Sequence, residues 1–340
     1  MLRTYCCGFC VFALLLSGPM LNADEPEGGR RRITRPIELN TPEADAIVAE
    51  LKVFPANNPW NTKITDWPLH KNSDAMIESI GADKPMRYNP DMAYIIVPPN
   101  QPKVDVKLGE MAEESDKGPY PVPDNLPIEG WPAYFEREQS DKTLEQVQEG
   151  AGDDENDRHA IVLDPTNKRL YEFYKMRKNN GEWEADGAAI FDLSSNRLRP
   201  AGWTSADAAG LPIFPAVVRY DELQRGEIKH ALRVTISRSR KAHVYPATHD
   251  ASKLVDENLP RMGERLRLRK DFDTSNFSPE VETILVALQE YGMFVADNGI
   301  DWAISVAPDP RIPDLHNELR SIKGSAFEVV TAPRGYKKPR

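Results

Sequence analysis

Four of the six histidines flank short apolar runs. His159 opens HAIVLD, His230 opens HALRVT, and His243 and His249 bracket VYPAT. An imidazole titrates near neutral pH and serves as acid, base or ligand. Strand openings border the loops where clefts form, so His159 and His230 are expected to approach each other across one sheet. His243 and His249 are six residues apart and no third ligand stands near them, so no metal is expected. No other cofactor is expected either. His70 and His316 lie in polar surroundings and are read as incidental. The competing reading of each imidazole is a hydrogen-bonded framework group.

The carboxylates offer a second chemistry. Asp192 ends the apolar run AIFDL, Asp207 lies in the loop RPAGWTSADAAGLP, and Asp221 and Glu222 follow VVRY. A glycosidase needs two carboxylates flanking the bond, and Asp192 with Asp207 or Asp221 would meet that need. A chain with 53 acidic residues supplies such pairs easily. A polysaccharide lyase instead needs a base for the proton α to a uronate carboxylate and a cation or amide for the enolate. Tyr245, His249, His230 and Arg219 are of those types. Trp203 and Ser205 of the same loop are assigned to substrate binding. The six tryptophans stand mostly beside Pro, Asn, Gly or Asp, and an aromatic face in a polar cleft stacks on a sugar ring. For Trp60 and Trp183 a place in the core is the stronger reading, and Ser205 also reads as a loop or cap hydroxyl.

Other chemistries lack their patterns. There is no G-x-S-x-G, no H-E-x-x-H and no glycine-rich nucleotide loop. DNGID at 297–301 reads as a type I′ hairpin and needs no calcium. The formal net charge of -10 argues against a nucleic-acid partner, because a phosphate backbone rewards a basic face. Bases do gather between 225 and 270. RLRLRK there reads as strand alternation, with a groove for an anionic glycan as the alternative.

The elements that must carry these groups are mainly short strands. HAIVLD, RLYEFYKM, GAAIFDL, HALRVTI, KAHVYPA, ERLRLRKDF, MFVADNG and AISVAP are separated by turn residues. That spacing predicts a mainly β, α+β fold with a β-sandwich or jelly-roll-like core. Helices are expected from Thr41, over DELQRGEI, and over SPEVETILVALQEYG, where Ser278 is the cap and Gly292 the end. Residues 1–23 have an early Arg, an apolar run too short to span a bilayer and a small residue at Ala23, the pattern of a secretory signal peptide. No other segment is apolar enough to cross a membrane. All three cysteines precede residue 24, so no disulfide is expected in the mature chain. The remaining divisions are a flexible leader over 24–40, an N-terminal extension with Pro-rich and acidic segments over 41–157, and a β-rich main domain over 158–333. The main domain is expected to form one unit with 41–130.

NPWN, GAAIFDLSSNRLRPAGWTSADAAGLPIFP, GEIKHALRVT, HVYPATHDAS and YGMFVADNG together resemble a family of secreted bacterial proteins. The resemblance runs from Phe54 to Val330 and is most specific between Ile190 and Leu232. It implies one shared fold and an extracellular role, and assigns no catalytic residue. The expected function is therefore cleavage of an extracellular polysaccharide, by elimination or hydrolysis. The alternative is a non-catalytic glycan-binding or cell-surface protein. In either case the loop 199–212 is expected to overhang His159 and His230.

Overall fold

Two mixed sheets carry the molecule. In a computed structural model, Met1 and residues 32–132, 142–150 and 156–339 are described, and the chain from Ile33 onward forms one compact unit. The expected signal peptide lies outside the described residues except for Met1, as do residues 24–31 of the expected leader and parts of the acidic segment, while Ile37–Glu38 of that leader pairs with Ile95–Ile96. The described residues contain no cysteine. No helix among them is long and apolar enough to cross a membrane.

The first sheet orders its strands as Ile37–Glu38, Ile95–Ile96, Ala160–Asp164, Arg169–Tyr174 and Gly187–Asp192. The second runs Phe327–Val330, Arg265–Leu268, Met293–Asn298, Leu232–Ile236, Ala303–Val306 and Arg87–Pro90. Each contains parallel pairs: Ile95–Ile96 beside Ala160–Asp164, Leu232–Ile236 beside Met293–Asn298, and Ala303–Val306 beside Arg87–Pro90. Neither closes into a barrel. With the helices Pro42–Glu50, Tyr220–Arg225 and Pro279–Glu290, the fold is mainly β with a few helices.

Alternation along the first sheet explains how it is buried on both faces. Ile161, Leu163, Leu170 and Phe191 join one large core with Leu232, Val234 and Leu266 of the second sheet. Val162, Phe173 and Ala188 point the other way, into a smaller core with Val122, Leu126 and Trp183. Each large apolar side chain so buried contributes about 1.5–3 kcal/mol. The helices begin and end where their caps direct. Thr41 accepts from the Ala44 N–H at 3.1 Å, and Gly226 closes Tyr220–Arg225 at a φ of 66°, a conformation that costs glycine no Cβ clash.

One sequence expectation is corrected, and one alternative falls away. Met293–Asn298 and Ala303–Val306 are not hairpin partners, because Leu232–Ile236 lies between them and pairs with both. Neither Asn298 nor Gly299 has the positive φ that a type I′ turn requires. The RLRLRK run forms the strand expected of it, Arg265–Leu268, and its alternative reading as a basic groove is not met at Arg265 and Arg267. Arg265 and Arg267 are each 4% exposed. Arg265 donates to the carbonyls of Tyr291, Pro59 and Thr62, and Arg267 to Glu328 and the carbonyls of Ile64 and Thr65. These guanidiniums hold the 59–67 segment against the sheet.

Candidate active site

The loop 199–212 is tied by hydrogen bonds within itself and to Glu114 and Asp116. Arg199 donates to the Thr204 carbonyl at 2.6 Å, to Asp116 at 2.5 Å and to the Glu114 carbonyl at 2.7 Å. Glu114 in turn accepts from the Thr204 N–H at 2.9 Å. Ser205 Oγ donates to the Leu211 carbonyl at 2.6 Å and accepts from the Asp207 N–H at 3.0 Å. Gly210 adopts a φ of +71°, and a Cβ there would stand 2.6 Å from the Trp203 carbonyl oxygen. Only glycine fits that crossing.

Beneath the loop lies a buried ionic layer. Asp207 receives a two-pronged bond from Arg233, Nε to Oδ2 at 2.9 Å and Nη2 to Oδ1, and Arg233 Nη1 donates to Ser305 Oγ at 2.7 Å. Asp207 is fully buried and Arg233 nearly so. Such a pair holds its geometry because removing either partner leaves an uncompensated charge. Glu172, also fully buried, accepts from the N–H groups of Ile213 and Phe214 at 2.8 to 2.9 Å. Burial pushes its carboxyl up to about 7 in spite of those two donors.

His159 occupies the same layer. Its Nδ1 bonds Glu129 at 2.8 Å and its Nε2 bonds the Ala206 carbonyl at 2.9 Å. Backbone bonds lock the pair from both sides, His159 N–H to Glu129 Oε2 at 3.0 Å and Glu129 N–H to the His159 carbonyl at 2.8 Å. Both ring nitrogens face acceptors, so the imidazolium fits this site. Burial opposes that charge, but the Glu129 carboxylate outweighs it and lifts the ring to about 10. Reciprocally, burial opposes ionisation of Glu129, yet His159 holds its carboxyl below the usual value. His159 therefore acts as a fixed cation at neutral pH. It has no lone pair to offer as a base.

Above this layer are residues that keep partial solvent exposure: Asp91, Glu129, Tyr174, Ala208, His249 and Asp297. The Asp91 carbonyl accepts from the Gly130 N–H at 3.2 Å, which sets Asp91 beside Glu129. Asp297 is the penultimate residue of the strand Met293–Asn298 and accepts from the Ala208 N–H at 3.2 Å and from the Asn298 N–H at 2.6 Å. Both aspartates face the same two cations, Arg233 and His159, and both are pushed up to about 7. Burial is the main cause in each. Glu129 adds to it at Asp91 and Asp207 adds to it at Asp297. The His159 ring lies 5.9 Å from Tyr174. Burial, with Asp157 and Asp297 nearby, pushes the Tyr174 phenol up to about 12. His249 Nδ1 bonds the Ala208 carbonyl at 2.8 Å.

The structure thus brings together His159, Ser205, Asp207 and His249 around the loop, with Trp203 on its other side. The remaining sequence candidates lie elsewhere. His230 Nε2 bonds Glu222 at 2.9 Å and its Nδ1 the Ala231 carbonyl at 2.9 Å. Arg219 bonds the same Glu222 at 2.5 Å and Asp221 at 3.3 Å, so His230 and Arg219 form a separate buried group at the start of the helix Tyr220–Arg225. Among the described residues no hydrogen bond joins His230 to the loop. Tyr245 donates to the Pro339 carbonyl at 3.2 Å, and burial raises its phenol. Asp192 pairs with Arg169 at 2.7 Å. Burial opposes its charge, but Ser194 and Arg169 hold it at about 2, too acidic to carry a proton at neutral pH.

Five residues of the site were not singled out in sequence: Asp91, Glu129, Glu172, Arg233 and Asp297. Glu172 and Arg233 do show a signal, a charge embedded in an apolar strand (RLYEFY, HALRVT). Among the described residues no group of His, Asp and Glu is arranged to hold a metal ion. Compared with known proteins, the chain matches no family model, no curated protein and no solved structure.

Proposed function

We propose that this chain is a secreted enzyme that cleaves an extracellular polysaccharide by hydrolysis, with Asp91 and Asp297 as the proton-transferring pair. One observation carries the reading: two aspartates that keep partial exposure as residues, both with carboxyls raised to about 7, border the ion-paired layer of Arg233 with Asp207 and His159 with Glu129. Carboxyls poised near the working pH suit general acid and base catalysis. Their surroundings separate the two roles. Asp91 Oδ1 is buried without a hydrogen-bond partner beside the ionised Glu129, so Asp91 keeps its proton and is the acid. Asp297 accepts two N–H bonds, which favour its charged form, and is the base. In the step, Asp91 protonates the glycosidic oxygen as its bond to the anomeric carbon breaks. Water adds to that carbon and gives its proton to Asp297. Arg233 and His159 hold the field in which the two carboxyls exchange charge.

Hydrolysis is preferred to elimination because the residues for a lyase, Tyr245, His230, Arg219 and His249, fall in three separate places. The two-sheet sandwich expected from strand spacing belongs to this proposal too, with the shared core between the sheets in its support. The test is incubation with a panel of acidic and neutral polysaccharides. New reducing ends without unsaturated-uronate absorbance are expected, with Asp91→Asn and Asp297→Asn each lowering the rate about 10²–10⁴-fold. Unsaturated products, or unchanged rates in both variants, would overturn the reading.

A further inference from the structure

The outer side of the same loop carries a second feature, a cleft of about 320 Å³ lined by Trp203, Phe191, Arg197, Asp116 and Asp192 among others. That volume falls within the range of small-ligand sites. The indole is held in place, because the Arg199 guanidinium lies over both Phe191 (5.8 Å) and Trp203 (5.5 Å) and is itself pinned by Asp116 and two carbonyls. The carboxylates of the cleft are already matched, Asp116 by Arg199 at 2.5 Å and Asp192 by Arg169 at 2.7 Å. Arg197 is different. It is exposed, and among the described residues no carboxylate pairs with it.

An immobilised aromatic face beside one uncommitted guanidinium matches a sugar ring that carries a carboxylate. We propose that this cleft is a subsite for a uronate residue of the polymer, its ring stacked on Trp203 and its carboxylate on Arg197. The inference rests on the carbohydrate reading above and names its substrate class. Trp203 is three residues from Ala206, whose carbonyl bonds His159. Three residues of chain span at most about 11 Å, so the subsite and the loop's contact with His159 belong to one short stretch of chain.

Binding, read separately from cleavage, tests this. Asp297→Asn protein is titrated calorimetrically with oligomers of polygalacturonate, alginate, glucuronan and hyaluronan, and with the carboxyl-reduced form of whichever binds. Binding to at least one uronan is expected. Adding Trp203→Ala should weaken it about tenfold. Adding Arg197→Gln should weaken the uronan about 5–10-fold and leave the reduced polymer unchanged. Binding to no uronan, equal binding of the reduced polymer, or indifference to Arg197→Gln would overturn the subsite. Uronan binding with these losses but no hydrolysis by the wild type would keep the subsite and remove the catalytic reading. Hydrolysis of neutral polymers alone would do the reverse.

Discussion

His159 with Glu129 and His230 with Glu222 are the same chemical pair in two settings. Each imidazole precedes a strand, each lies 2.8 to 2.9 Å from its glutamate, and each is largely buried. Around His230 every neighbour is engaged. Glu222 also takes Arg219 through its side chain and its backbone N–H, and Asp221 takes Arg219 and Arg225. Around His159 the account does not close. Asp91 and Asp297 border it with raised pKa values, and Asp91 keeps a buried oxygen unpartnered. A histidine–glutamate pair is thus no mark of catalysis by itself. What distinguishes the His159 setting is the pair of raised aspartates beside it, in residues that keep partial exposure.

Substituting the acids beside His159 should separate the two settings most strongly. Asp91→Asn or Asp297→Asn should remove about 10²–10⁴ of the hydrolysis rate while far-UV circular dichroism stays unchanged. Next, Glu222→Ala should lower the urea-unfolding free energy by about 3–5 kcal/mol, because it leaves buried Arg219 with only its longer contact to Asp221 and takes the carboxylate from His230. The specific activity of its folded fraction should stay within about twofold of wild type.

Glu129→Gln should show itself in the pH dependence. The folded pKa of His159 is raised to about 10, above its unfolded value of about 6.5. The stability it contributes is therefore complete below pH ~6.5 and lost as pH rises toward about 10. Wild-type thermal midpoints should fall across that window, and the Gln variant should lose most of the slope. The smallest effect belongs to Asp297→Asn. The wild-type carboxyl ionises near 7 when folded but near 3.9 when unfolded, so folding is penalised increasingly from pH ~4 to ~7. The Asn variant should be about 1 kcal/mol more stable than wild type at pH 8, after allowance for solvent contact, with that advantage gone at pH 4.

Sequence made one half of the active layer visible and hid the other for a physical reason. His159 and Asp207 stood out because polar groups interrupt apolar or glycine-bounded stretches. The helix Pro279–Glu290 and the longer strands such as Ala160–Asp164, Arg169–Tyr174, Gly187–Asp192 and Leu232–Ile236 stood out by periodicity and turn residues, whereas Arg177–Asn179, Glu182–Ala185 and Arg261–Met262 did not. Asp91 and Glu129 come from irregular chain, where no period marks which side chain turns inward, and their partners lie 30 or more residues away. Strand order was equally hidden. The parallel pairing of Leu232–Ile236 with Met293–Asn298 joins segments separated by three short strands and a helix, so DNG read locally as a hairpin. Short-range pattern names elements, and long-range pairing decides which of their ends meet.

The most direct measurement is a carboxyl-carbon NMR titration of the wild type, with Asp91→Asn and Asp297→Asn used to assign the two signals. Both aspartates should titrate near pH 7, with Asp297 losing its proton first. Midpoints below about 5 for both would show two ordinary surface acids and contradict the catalytic assignment.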